Sequence, residues 1–466
     1  MSSGDDTEPL AFGTDGWRAA GEAFTLERVR QIAGALASYL DDKDRPGPIA
    51  VGYDSRRTSV AAAEALAAVL VAEDRSVTLA SEDCPTPVLG WTVRDGPYAA
   101  GLMVTASHNP PEYNGVKVLT SEGAPALPAM TDALEARLAP VPGPAVDVRE
   151  HEAVTETALA PAYREHAISF VDADLGGVPI AYDGMHGSGR NVTPALLEAA
   201  GATVTRRRCD RDPTFGGVPP EPSPKTAAAV CERVQSGEAA LGFVNDGDAD
   251  RLGVLTPERG YLDPNVLLAV IYDYLLETAS GDVVRTVSTS SLVDGVARAH
   301  GRQVHETSVG FKWVAEALAA HDTLAGGEES GGYGITAHLR NKDGVLLALL
   351  LAAAHVDRPL DDRIDAILDK FGPISQGRRS ITCPEDRKSA VLSALEDSLP
   401  ERVAGTAVDE ISTVDGFKCT LADGSWMLVR PSGTEPKLRI YAEATTDGRV
   451  DELLAAGEAL LDAHLG

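Results

Sequence analysis

The chain has 466 residues, 44 % of them hydrophobic and 24 % charged, enough for about three or four domains at roughly 150 residues each and too long for a small disulfide-stapled scaffold. Against 41 Lys and Arg stand 70 Asp and Glu, a net charge of −29 with only nine lysines, which sets the surface against nucleic acid and anionic membrane. The five cysteines are scattered, with no C-x-x-C pair, so a disulfide frame or thiolate zinc site is not expected and a reducing cytoplasm is.

The opening MSSGDDTEPL has neither the basic nor the apolar region of a signal peptide. The most apolar run, Val345 to Ala354, suits a buried helix and is too short for a bilayer. An acidic, lysine-poor surface is also what concentrated salt selects, because screening relieves its self-repulsion. A halophilic protein is therefore expected.

Along the chain a strand–loop–helix–strand unit recurs. Strand Ile49 to Gly52 is followed by the loop YDSRRTS, a helix from Val60 to Ala72 and a strand from Val77 to Ala80. The unit returns as strand Val178 to Tyr182, loop DGMHGSGR, helix Pro194 to Ala200 and strand Thr203 to Thr205. A third copy runs from strand Val283 to Ser288 through helix Val293 to His300 to strand Val304 to Glu306. This alternation predicts parallel α/β sheets with ligand loops at the carboxyl ends of strands. The Pro-rich segment Leu138 to Val146 reads as a linker, and softer boundaries fall near Thr256 to Arg259 and Phe371 to Pro373. Beyond Pro373 the strands alternate more loosely and a final helix, Val450 to Leu465, closes a smaller α+β domain. The expected divisions are 1–145, 146–256, 257–372 and 373–466.

Four loops carry chemistry. Thr105 to Pro110 (TASHNP) follows the strand Ala99 to Val104 and puts Ser107 beside His108 at a strand end; a Ser next to a His is by itself only a polar turn. Asp246 to Arg251 (DGDADR) follows the strand Leu241 to Val244. Its carboxylates at i, i+2 and i+4 crowd three negative charges that a hard cation such as Mg²⁺ would neutralise. An EF-hand is excluded, since its sixth and twelfth positions hold Arg251 and Pro257. A haloacid-dehalogenase-type aspartate nucleophile at Asp246 is the alternative, although Ala249 stands where a hydroxylated or branched residue is expected.

Arg430 to Lys437 (RPSGTEPK) joins two strands, Trp426 to Val429 and Leu438 to Ala442. Gly433 lets N–H groups converge, Ser432 and Thr434 add hydroxyls, and Arg430, Lys437 and Arg439 add charge, a phosphate cradle rather than a plain hairpin. Gly327 to Gly334 (GEESGGYG) is acidic and pliant, suited through Glu328 and Ser330 to sugar hydroxyls.

These loops, with FGTDGWR (12–18), GYDSRR (52–57), NGVK (114–117) and GFK (310–312), occur in this order across essentially the whole chain. In this the chain resembles the α-D-phosphohexomutase superfamily of phosphoglucomutases and phosphomannomutases. The resemblance implies an α/β fold of three similar domains and a fourth, smaller α+β domain around a central cleft. It implies an isomerase that interconverts hexose 1-phosphate and hexose 6-phosphate through a phosphoserine at Ser107, with hexose 1,6-bisphosphate as intermediate and activator. One Mg²⁺ per subunit would be held by Ser107, Asp246, Asp248 and Asp250. Arg18, Lys117 and Arg251 would neutralise the transferred phosphoryl group, with His108 and Lys117 as candidates for proton transfer. Lys312, Glu328 and Ser330 would contact the sugar, while Arg430, Ser432, Gly433, Thr434 and Lys437 would grip the idle phosphate.

GEESGG and SVGFKW (308–313) look more like phosphoglucomutase-type than phosphoglucosamine-type members, so glucose is the expected sugar, with mannose, its C2 epimer, also accepted. A phosphoglucosamine mutase is the alternative, ahead of a metal-dependent phosphosugar phosphatase or a non-catalytic phosphosugar sensor. The partner is thus a small phosphosugar, and the protein a monomer or homodimer. Leu262 to Asn265 (LDPN) departs from relatives that carry Gly-Asp there, a change expected at a domain contact rather than in the chemistry.

Overall fold

The computed structural model describes residues 10–13, 16–143, 146–396, 398–433 and 435–465. Thr14 and Asp15 of FGTDGWR, the linker residues 144 and 145, and Thr434 lie outside the described residues. The chain forms two compact units, one of residues 1–263 and 330–361 and the other of residues 264–329 and 362–466.

The first unit contains two mixed sheets. In the six-stranded one the order is Trp17–Ala20, Tyr113–Thr120, Ala100–Val104, Ile49–Tyr53, Val77–Ala80 and Val154–Thr157. Ile49–Tyr53 runs parallel to both neighbours, and Tyr113–Thr120 returns antiparallel to Ala100–Val104. Strands Ile49–Tyr53 and Ala100–Val104 are buried along their whole length, as continuous apolar runs covered on both faces must be. The five-stranded sheet has Pro179–Asp183 parallel to Thr203–Arg207 and to Leu241–Asn245, with Leu252–Thr256 returning antiparallel.

The apolar run from Val345 is indeed a helix, Gly344–Asp357, buried from Gly344 to Ala354. It packs against helices Ala160–Val171 and Thr193–Ala199 and against strands Leu241–Asn245 and Leu252–Thr256. Its N-terminus is capped by Asp343, which accepts from the N–H groups of Val345 and Leu346.

In the second unit Asp282–Thr286 lies between Val304–Thr307 and Thr323–Gly327, all parallel. Residues beyond 373 form an antiparallel sheet ordered Ser375–Thr382, Lys437–Ala444, Trp426–Pro431, Phe417–Leu421, Thr406–Ser412 and Arg402–Val403, with helices Glu385–Glu396 and Asp447–Leu465. The two sheets share an apolar seam, Val287 with Trp426, Leu428 and Tyr441. Asn265, from the LDPN segment, donates to Gln376 at 2.7 Å and accepts from Ser290 N–H at 2.8 Å, so the departure noted in the sequence does fall at a contact between these two parts. Three α/β sheets and a separate antiparallel domain are the fold class expected. No helix among the described residues is long and apolar enough to cross a membrane.

Candidate active site

Strand Ala100–Val104 delivers the TASHNP loop, and the loop is held open from beneath by Arg56. This arginine is 1 % exposed and gives its donors to the carbonyls of Ser107, Asn109, Pro110 and Tyr113 at 2.7–2.8 Å and to Asp54 at 2.9 Å. Asp54 accepts from Thr105 Oγ1 at 2.7 Å, and Thr105 Oγ1 accepts from Ser107 N–H at 2.8 Å. Ser107 sits at φ +52°, a left-handed conformation that costs a non-glycine residue free energy and needs such support. The sequence reading did not single out Arg56, although it lies in GYDSRR.

Ser107 Oγ donates to Asp246 Oδ2 at 2.7 Å. The two loops touch along their backbones: a Cβ on Gly247 would meet Ser107 O at 2.5 Å, so only glycine allows this approach. Asp246 also accepts from Arg251 N–H at 3.0 Å. Asp248 accepts from Thr86 Oγ1 at 2.6 Å and Lys117 Nζ at 2.9 Å, and Asp250 from Lys117 at 2.8 Å and Lys342 at 2.9 Å. All three aspartates are fully buried. Burial and then the charges of Asp250 and Asp248 push the Asp246 carboxyl well above the ordinary range. Burial acts the same way on Asp248, but Lys117 outweighs it and holds that carboxyl low.

Ligand oxygens of the three lie within 4.8 Å of one another, and Asp248 Oδ1 and Asp250 Oδ1 are buried without a hydrogen-bond partner. Buried carboxylate oxygens left unpaired are costly. The donor set, all hard oxygen and close to a serine hydroxyl, fits Mg²⁺.

Around this pair stand the other residues expected here. Lys117 Nζ stands between Asp248 and Asp250, at 2.9 and 2.8 Å. His108 Nδ1 lies 3.4 Å from Ser107 Oγ. Burial, then the charges of Arg251 and Arg18, bring its pKa down to about 2, so the ring is neutral. Arg18 donates to Asn109 at 2.6 Å. Lys342 and Thr86, which complete the ring around the trio, were not anticipated. Lys342 follows a turn and precedes a capping aspartate, and nothing local distinguishes it from a surface lysine.

The remaining expected residues belong to the second unit, except Ser330, where the chain re-enters the first. Glu328, buried, accepts from Gly310 N–H at 3.0 Å. Lys312 Nζ lies 5.5 Å from the Trp313 ring centroid. Arg430 Nε donates to Asp415 at 2.8 Å. Ser432 is buried with its N–H on Lys437 O at 3.0 Å, and its carbonyl and that of Glu435 both accept from the buried Lys388 at 2.7 Å. Gly433 has open space where a side chain would stand. The cradle is less cationic than the sequence suggests, because Glu435 pairs with Lys437 at 2.7 Å and with Arg439 at 2.8 Å.

Three α/β sheets, an antiparallel fourth and a serine hydroxyl bonded to one member of a buried aspartate trio define an isomerase of the phosphotransferase class. The chain belongs to the phosphoglucomutase/phosphomannomutase family. Its alpha/beta/alpha domains I, II and III match residues 9–141, 161–260 and 263–371, and its C-terminal domain matches residues 381–459. The chain is 34 % identical over 447 residues to a probable phosphoglucosamine mutase of Methanopyrus kandleri, covering 95 % of each chain. It is 31 % identical to a phosphopentomutase of Thermococcus kodakarensis, again with 95 % of each covered. Among solved structures, a putative phosphomannomutase from Thermus thermophilus superposes with a TM-score of 0.83 at 29 % identity, over 98 % of this chain and 99 % of that one.

Proposed function

We propose that the protein interconverts hexose 1-phosphate and hexose 6-phosphate through a phosphorylated Ser107, with glucose preferred and mannose accepted. The observation that carries this reading is the 2.7 Å bond between Ser107 Oγ and Asp246, beside two buried, unpaired carboxylate oxygens. Asp246, Asp248 and Asp250 would hold Mg²⁺, which supplies neutralisation of phosphoryl oxygen charge when bound. Ser107, carrying the phosphoryl group, presents it to the free hydroxyl of the sugar phosphate. The Oγ–P bond breaks as the sugar O–P bond forms, and the sugar hydroxyl proton passes by way of His108, 3.4 Å from Ser107 Oγ, to the departing serine oxygen. The hexose 1,6-bisphosphate turns end for end and returns its other phosphoryl group to Ser107: the second sugar O–P bond breaks as Oγ–P re-forms, and the serine hydroxyl proton passes to the released sugar oxygen. Added bisphosphate therefore acts as activator by recharging the serine.

Lys117, Arg18 and Arg251 hold positive charge near the transferred group, and Lys312, Glu328 and Ser330 take the sugar hydroxyls. Arg430, Ser432, Gly433, Thr434 and Lys437 hold the idle phosphate, using remote binding energy to orient the reacting end. A second reading, in which the sugar is glucosamine, is supported by the names of the relatives, several of them probable phosphoglucosamine mutases. A coupled assay with glucose 1-phosphate, mannose 1-phosphate and glucosamine 1-phosphate, primed with the matching bisphosphate, decides between them. Steady release of inorganic phosphate without isomer formation would instead mark a phosphatase.

A further inference from the structure

The anion grip in the last domain has a support that neither the family match nor the motif assigns. Arg430 is 7 % exposed, and its guanidinium makes one hydrogen bond among the described residues, from Nε to Asp415 Oδ2 at 2.8 Å. Its two Nη groups make no hydrogen bond to a described residue, which leaves that planar edge of the guanidinium for an anion. Asp415 lies in the turn between strands Thr406–Ser412 and Phe417–Leu421. That turn is pressed onto the arginine: Gly416 has φ +86°, and a Cβ there would meet Val429 O at 2.2 Å and Arg430 Cα at 2.8 Å. The carboxylate and the arginine backbone are therefore fixed with respect to each other.

The same oxygen, Asp415 Oδ2, accepts from Val309 N–H at 3.0 Å, and Ser308 Oγ donates to Val414 O at 3.1 Å. The next peptide along, Gly310 N–H, donates to Glu328 Oε1 at 3.0 Å. One carboxylate thus ties Arg430 to a dipeptide whose other amide holds the glutamate of the sugar loop.

We propose that Asp415 is a positioning residue: it holds Arg430 by Nε so that the Nη edge faces the substrate's non-reacting phosphate, and it couples that grip to Glu328. The proposal rests on the reading of Arg430 as a phosphate ligand. A carboxylate on Nε gives up some of the cation's attraction for phosphate in exchange for a fixed orientation. Its loss therefore acts on substrate binding chiefly through Arg430.

The test is a pair of double-mutant cycles on the full-length enzyme, with glucose 1-phosphate as substrate or, if the coupled assay favours it, glucosamine 1-phosphate. Asp415→Asn is expected to raise KM about tenfold, and in an Arg430→Ala background to change it less than about twofold. Asp415→Ser, which keeps an acceptor for Val309 N–H, carries the same expectation if the asparagine variant does not fold. Ser308→Ala, which removes only the bond to Val414, leaves KM as it is. Asp415→Asn and Glu328→Ala are expected to combine non-additively. Additive effects in the Arg430 cycle, or a variant that melts earlier with KM unaltered, overturn the proposal; additivity with Glu328 overturns the coupling. If Arg430→Ala leaves KM unaltered, the phosphate-ligand reading fails and the proposal with it. If Arg430→Ala raises KM while Asp415→Asn does not, only the proposal fails.

Discussion

Ser107 Oγ and Asp246 Oδ2 are 2.7 Å apart across 139 residues of sequence, so the serine loop of one domain is seated on the acidic loop of the next. Ser107→Ala removes the acceptor of the phosphoryl group while leaving all three carboxylates. Interconversion is expected to fall by at least about a thousand-fold, with Mg²⁺ binding retained in a calorimetric titration. Undiminished mutase turnover by the alanine variant would refute the phosphoserine route.

Arg56 supports the serine loop with charge-assisted hydrogen bonds to four carbonyls. Lysine cannot reproduce a planar fork of five donors. Arg56→Lys, which leaves several buried carbonyls unpaired, is expected to destabilise the first unit by about 3 kcal/mol or more and to slow phosphorylation of Ser107. Urea unfolding and intact-mass measurement after incubation with hexose 1,6-bisphosphate check the two effects.

Removal of the divalent ion leaves Asp248 Oδ1 and Asp250 Oδ1 as buried acceptors without partners. EDTA is expected to abolish turnover and lower the melting temperature, and excess Mg²⁺ to restore both. Asp250→Asn removes one charge from the trio and is expected to weaken Mg²⁺ binding by at least about tenfold. Turnover that survives exhaustive chelation would count against the metal assignment.

Glu306 sets an acid limit on the second unit. It bonds Lys418 at 3.0 Å, Arg285 at 2.5 Å and Ser412 at 2.9 Å. Burial raises its carboxyl, but the charges of Lys418 and Arg285 outweigh this and bring it from 4.5 down to about 2. A folded-state value below the unfolded one means stabilisation that is complete above about pH 4.5 and is lost as pH falls toward 2. The gap corresponds to at most about 3 kcal/mol, since burial lowers the Lys418 ammonium and offsets part of it. Glu306→Gln is expected to destabilise the protein at pH 7 and much less, only about a quarter as much, at pH 2.5. Equal losses at both values would show that the charge is not the cause.

The net charge of −29 repels itself over a distance that salt controls. The screening length falls from about 10 Å at 0.1 M to about 3 Å at 1 M. Melting temperature is expected to rise with KCl over that range, and a flat or falling profile in calorimetry would remove the inference of salt adaptation.

Periodicity in the sequence was enough to define the repeated strand–loop–helix–strand units, because an apolar run covered on both faces, such as Ala100–Val104 or Leu241–Asn245, has few other ways to fold. The acidic loop was legible for the same local reason: three carboxylates at alternate positions have little purpose on a tight turn without a cation. Periodicity and motif therefore determined the fold class and the gathering of the three aspartates. Which side chains meet was decided by tertiary structure. Arg56 and Arg57 are neighbours with the same chemistry, yet one is buried under the serine loop and the other is exposed. Lys342 reaches Asp250 only because the helix from Gly344 is buried against the second sheet, and Asp415 meets Arg430 only because Gly416 lets a turn lie on its backbone. Such partners are set by long-range packing, where burial and close backbone approach, rather than residue type, select the contact.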